Sequence, residues 1–225
     1  MSIGQLWAQT NLRMGLHLNA NSNDYSGNAL NGTDANITYI NGVIGGNGAS
    51  FNGSTSKIAL SSSLDTPLKT ASFSLLFVIK TGATATFYGI NRGLAYAVKY
   101  YGIGLTGGAT SLVAIRNEGD GSNRTHTFTT TVSTNTKYLV VWTYNKTNGA
   151  SVLYLGDLAT GALRTSSGTL GTGDVAFNAS YDAGYNLNAN LSEYGYGIMN
   201  EAIVFSDIKT AAWVARYLSL LRGMY

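Results

Sequence analysis

The chain has 225 residues, 44% hydrophobic and only 11% charged, with no cysteine and a net charge of +3 at a pI near 9.0. That apolar content can fill a core and excludes wholesale disorder, and the missing cysteines exclude a disulfide framework or a thiolate metal site. Lys and Arg are scattered singly with no basic run, which argues against nucleic acid as a partner, and no apolar run reaches membrane-span length.

The opening "MSIGQLWAQTNLRMG" lacks a charged stretch followed by an apolar one, so the expectation is synthesis in a cytoplasm without a secretory signal. Leu12, Met14, Leu16 and Leu18 then alternate with polar residues, the period-2 pattern of a half-buried strand. Asn19 to Gly53 is almost entirely Asn, Gly, Ser, Thr and Asp with single apolar residues at intervals. Asn and Asp bond to their own turn amides and Gly supplies positive φ, so this stretch reads as ordered turns between short strands. Its sequons, Asn31-Gly-Thr and Asn52-Gly-Ser, are read as turn chemistry. Further strand patterns follow at "ITYI", "KIAL", "SFSLLFVIK", "SLVAIR", "THTFTTTV", "KYLVVWTY" and "SVLYLG", punctuated by Gly/Asn/Ser clusters. Thr125, Thr127, Thr129 and Thr131 share one face. The single proline, Pro67, falls between strand patterns. Ser206 to Gly223 breaks the pattern: helix formers follow a candidate N-cap at Ser206, predicting a helix over about 207–222. Many short strands at near-regular spacing predict one all-β domain over 1–225, a two-sheet antiparallel sandwich with a short C-terminal helix.

The opening turns resemble those of concanavalin A-like, laminin-G-type jelly-roll domains. Asn21, Asn23, Asp24, Ser26, Gly27, Asn28 and Gly32 occupy the positions of that family's first loop. Ala49, Phe51, Asn52, Gly53, Ser56 and Ile58 match the strand and turn after it. "SFSLLFVIK", "TKYLVVWTYNKTNGASVLYLG" and "NEAIVFSDIKTAAWVARYL" are similar to the later strands and closing helix, in the same order. The resemblance implies a jelly roll. It also implies calcium where the first loop meets the closing strand, at Asp24 and Glu201, although Asn200 stands where an acidic residue is common. Glycoside hydrolases of this fold carry Glu-x-Asp-x-x-Glu on a strand. The nearest match here is Glu118 and Asp120, with Asn123 in place of the third carboxylate, so a non-enzymatic protein is expected.

His17 and His126 lie on strand patterns without the neighbours of a triad or a zinc site, and read as structural. Carbohydrate binding needs aromatic faces beside hydrogen-bonding side chains. "SYDAGYNLNANLSEYGYG" offers Tyr181, Tyr185, Tyr194 and Tyr196 among asparagines, and "YAVKYYGIG" adds Tyr96, Tyr100 and Tyr101. Tyr181, Tyr185, Asn186, Tyr100 and Tyr101 are the candidate carbohydrate or partner contacts, Tyr181 and Tyr185 being expected on surface loops. Two functions follow. A stand-alone domain of this resemblance, with a neutral Asn/Thr/Gly-rich surface, is expected as a virion structural protein of a tailed phage. It would sit on the particle surface as a capsid decoration or fibre/tail component, contact capsid proteins and itself as a homo-oligomer, and carry some capacity for surface polysaccharide. The alternative is a calcium-stabilised lectin-like module.

Overall fold

The alternating segments become strands, as a computed structural model that describes residues 11–83, 87–92, 101–106, 111–117, 123–175, 185–187, 189–190 and 193–224 shows. The first five are β1 (Leu12–His17), β2 (Thr33–Ala35), β3 (Thr38–Asn41), β4 (Asn47–Asn52) and β5 (Lys57–Leu60). A six-residue helix, α1 (Asp65–Thr70), precedes β6 (Phe73–Thr81), β7 (Phe87–Arg92), β8 (Tyr101–Thr106), β9 (Ser111–Asn117) and β10 (Asn123–Thr129). Next come β11 (Lys137–Tyr144), β12 (Ala150–Asp157), β13 (Leu163–Thr169), β14 (Tyr185–Leu187), β15 (Ala189–Asn190) and β16 (Glu193–Tyr194). The chain closes with β17 (Tyr196–Phe205) and α2 (Ala211–Arg222).

One sheet runs β13-β12-β11-β6-β17-β4-β3, with β1 also paired to β17, and the other runs β10-β9-β8-β7-β14-β5-β2. The strand pairs are antiparallel, and the result is a two-sheet jelly-roll sandwich. Met14, Leu16, Phe51, Phe73, Phe77 and Trp142 fill the space between the sheets. Trp142, fully buried, meets Phe73 edge-on at 4.9 Å. A second apolar layer lies on the outer face of the eight-stranded sheet, where Leu76, Val78, Leu139, Val141, Ile203 and Phe205 pack against Val214, Tyr217, Leu218 and Leu221 of α2. This is why "SFSLLFVIK" is apolar without strict alternation: Phe73, Leu75, Phe77 and Ile79 face the sandwich, while Leu76 and Val78 lie under the helix.

The Asn-rich stretch is ordered. Asp24 accepts from the amides of Gly15, Ser26 and Leu30 and from Ser26 Oγ, tying the first loop to β1. Asn52 Oδ1 accepts from the amides of Ser54, Thr55 and Ser56, closing the turn before β5. β17 shares one of its sides between two partners, pairing with β4 over Tyr196–Met199 and with β1 over Glu201–Phe205. Asn200 sits at the irregularity between them. Its carboxamide accepts from Val43 N and donates to Asn47 O at 2.7 Å, and its carbonyl accepts from Leu18 N, so this amide seals the junction of three segments.

Two expectations change. The C-terminal helix starts at Ala211, not about residue 207: Thr210 is the cap, its Oγ1 accepting from Trp213 N at 3.2 Å. Ser206 to Lys209 is held outside the helix because Ser74 Oγ donates to Asp207 O and accepts from Lys209 N, while Ser206 N donates to Asn11 O. Around Pro67, where only a connection was expected, the chain forms α1; the proline sits in its first turn, where its missing N–H costs no helical bond.

Candidate functional site

Of the predicted tyrosines, Tyr181 and Tyr100 lie outside the described residues, and Tyr101 is placed only by its backbone, in β8 opposite Arg92 and Arg116. The surface-loop expectation for Tyr185 is corrected: it is in β14, 1% exposed, its ring facing the core under the Arg92 guanidinium at 4.7 Å. Asn186 is also buried, at 5% exposure, in register with Asn91 on one side and Ala59 on the other. Period-2 alternation sends them to opposite faces of the strand, so a loop reading could not hold for either. Glu118 and Asp120 lie outside the described residues, and Asn123 opens β10.

The described residues build an aromatic seat elsewhere, at the other end of β17. Tyr196 is 45% exposed on the open part of the outer face of the eight-stranded sheet. Two glycines hold its ring down. A Cβ at Gly82 would fall 1.8 Å from Tyr196 Cδ1, and one at Gly53 would fall 3.1 Å from its Cβ, so only glycine lets the ring lie this close to the backbone. Gly82 N donates to Tyr196 O at 2.9 Å, locking the strand beneath. The turn before β11 is fixed in the same way, as Thr81 Oγ1 donates to Ser133 O and accepts from Thr136 N. The result is a shallow hollow of about 170 Å³ lined by Ile40, Ser50, Lys80, Asn135, Tyr196 and Ile198. Drug-sized sites enclose roughly 300–1,000 Å³, so this is a shallow platform rather than an enclosed cavity. Its lining has no carboxylate or histidine to act as general acid or base. Tyr196 stood in the sequence among the tyrosines of "SYDAGYNLNANLSEYGYG", but nothing local announces its partners Gly53 and Gly82.

No protein-family model and no curated protein matches this chain. Solved structures do. The binding domain of botulinum neurotoxin serotype D aligns at a TM-score of 0.64 and 17% identity, over 93% of this chain and 51% of that one. Domain 4 of AbnA, an extracellular GH43 arabinanase from Geobacillus stearothermophilus in complex with arabinotriose, aligns at 0.61 and 19%, over 92% and 97%. A mutant of Trypanosoma rangeli sialidase displaying trans-sialidase activity aligns at 0.64 and 15%, over 95% and 33%. The likeness is one of fold. The chain spans about half the length of the botulinum neurotoxin chains it matches.

The two carboxylates predicted to meet at a metal are each engaged by protein groups. All four donors to Asp24 come from its own loop and β1. Glu201 is fully buried beneath α2, with His17 Nδ1 2.8 Å from Oε1 and Tyr217 donating to Oε2 at 3.3 Å. The hydrogen bond to Glu201 raises the His17 pKa, and burial raises those of Glu201 and Tyr217. Among the described residues, no three His, Cys, Asp or Glu side chains cluster as a metal site. His126, on β10, reaches between the sheets: its Nδ1 lies 2.8 Å from Ser151 Oγ, which also accepts from Trp142 Nε1, and its Nε2 lies 3.1 Å from Ser166 Oγ. Burial lowers its pKa. Both histidines therefore have structural partners.

Proposed function

We propose that this protein is a non-catalytic, lectin-like module that binds glycans at the Tyr196 platform. The carrying observation is the half-exposed tyrosine ring, immobilised on glycine backbone in a hollow that Lys80, Asn135 and Ser50 also line. A fixed ring offers an apolar face to sugar CH groups at little entropic cost, and the polar rim supplies donors and acceptors for hydroxyls. The fold shared with the arabinotriose-bound arabinanase domain supports the same reading. The proposed setting is the surface of a tailed-phage particle, with capsid proteins and further copies of the chain as partners, a reading supported by the neutral, Asn/Thr/Gly-rich composition. A structural calcium ion where the first loop meets the closing strand, at Asp24 and Glu201, belongs to the same proposal.

The test is a broad polysaccharide panel with the purified protein, run in calcium and again in EDTA. Saturable binding to one glycan class is expected, weakened at least about tenfold (~1.4 kcal/mol) by Tyr196→Ala. Binding unchanged in that variant would remove the platform from the account. Loss in EDTA would support a structural calcium ion. Co-purification with particles tests the setting.

A further inference from the structure

A second hollow lies at the far end of the same strand, where the chain leaves β17. Its volume is about 370 Å³, within the range of ligand sites. Leu30, Pro67 and Ala71 give it an apolar floor, and Ser63, Thr66 and Ser206 also line it. Its one cationic lining residue is Arg13.

Arg13 is placed there by a defect in the ladder. β1 pairs Leu12 with Phe205 and Met14 with Val204, so Arg13 is the extra residue of a bulge. A bulge turns a side chain out of the sheet and leaves its own backbone without a strand partner. The first loop repairs that loss: Asn28 Nδ2 and Ser26 Oγ both donate to Arg13 O, at 2.9 and 3.1 Å. The guanidinium itself is exposed and has no acceptor among the described residues.

The nearby acids are already committed. Asp65 is bonded to Lys69 at 2.7 Å and to Arg92, and Asp207 lies 2.9 Å from Lys209 Nζ. Among the described residues, Asp24 is the one carboxylate bonded to the wall itself, through Leu30 N, and its oxygens accept from loop and β1 donors. Arg13 is thus a fork of donors beside an apolar floor, with the hydroxyl-bearing Ser63, Thr66 and Ser206 in the same lining. That combination matches a carboxylated sugar: the guanidinium takes the carboxylate in paired hydrogen bonds, the hydroxyls take ring oxygens, and Leu30, Pro67 and Ala71 take the CH face.

We propose that the Arg13 hollow binds the uronate unit of an acidic glycan, a site separate from the Tyr196 platform. The sugar part rests on the glycan reading above; the anion part does not. β17 has ten residues at ~3.3 Å each, which sets the two sites about 30 Å apart.

The experiment is NMR titration of the arginine side-chain signals, with calorimetry, using trigalacturonate, neutral galactotriose and acetate. Trigalacturonate is expected to shift the Arg13 signal and to bind at least about tenfold more weakly to Arg13→Gln, with unchanged affinity in Tyr196→Ala. Because Arg13 is exposed, Arg13→Gln is expected to keep the wild-type melting temperature, and Arg13→Lys to recover part of the affinity. Trigalacturonate affinity unchanged in Arg13→Gln, or no shift at Arg13, overturns the inference. If galactotriose binds at Tyr196 while no uronate reaches Arg13, only the hollow falls. If uronate binds at Arg13 and no neutral glycan binds at Tyr196, only the platform falls. Acetate shifting Arg13 as far as the trisaccharide would reduce the site to a bare carboxylate seat and overturn its sugar assignment.

Discussion

His17 and His126 make opposite uses of the same side chain. His17 stands at a strand edge with its charge matched by Glu201, whereas His126 is enclosed between hydroxyls with no carboxylate partner among the contacts of its ring. The His17 pKa is raised above 6.5, so its contribution to stability is complete below that pH and is lost as pH rises through the folded value. Burial of Glu201 acts in the same direction, because its pKa is raised too. The His126 pKa is lowered, so its share is present above 6.5 and lost as pH falls through the folded value. Melting temperature against pH is therefore expected to decline on both flanks. His17→Asn should flatten the alkaline flank and His126→Asn the acid flank. The reverse assignment of flanks would mean that these pairings do not govern the titration. The alternation put His17 opposite Leu12, Met14, Leu16 and Leu18; it lies opposite Met14, Leu16 and Leu18, but the bulge at Arg13 sends Leu12 to the outer layer instead. The sequence could not show Glu201 opposite, because a pairing across 184 positions (201 minus 17) leaves no local trace.

Elements were legible where one periodicity dominated. Lys57–Leu60 and Lys137–Tyr144 match their expected runs, and Thr125, Thr127 and Thr129 do face solvent together. β13 was missed because "LRTSSGT" at a sheet edge buries too little to need an apolar pattern. The start of α2 was misplaced because Ser206 and Thr210 are both good caps by type, and tertiary bonds from Ser74 decide between them. The two caps can be told apart by substitution. Thr210→Ala removes the acceptor for Trp213 N and should cost about 1 kcal/mol in chemical denaturation. Ser206→Ala removes only a 3.4 Å contact to Asn11 O, and should cost less than about half of that. Equal costs would place the helix start back at Ser206.

At the scale of the molecule, the sandwich and the helix layer share strands. β6, β11 and β17 each give one face to the core between the sheets and the other to α2, so neither layer can lose its packing without exposing residues next to the other. Such sharing predicts a single cooperative transition. The fold class followed from strand count and turn chemistry, but this two-sided use did not follow from composition. It rests on alternate positions of β6 being apolar for two different neighbours. The Tyr196 platform was illegible for a related reason: Tyr196, Gly53 and Gly82 meet only once three strands are in register. Leu218→Ala tests the sharing, since the side chain is 3% exposed between α2 and the sheet and lies against Gly156. It should cost about 2–5 kcal/mol while leaving the denaturant slope unchanged. With Trp7, which lies outside the described residues, replaced by Phe in both proteins, tryptophan fluorescence reports on Trp142 inside the sandwich and on Trp213, which stacks on Tyr217 at 5.3 Å in the helix layer; far-ultraviolet dichroism reports on the backbone. In both wild type and variant the two signals should change together. An early fluorescence step, with the sheet signal intact, would show the helix layer melting alone and the outer face of the eight-stranded sheet standing without it.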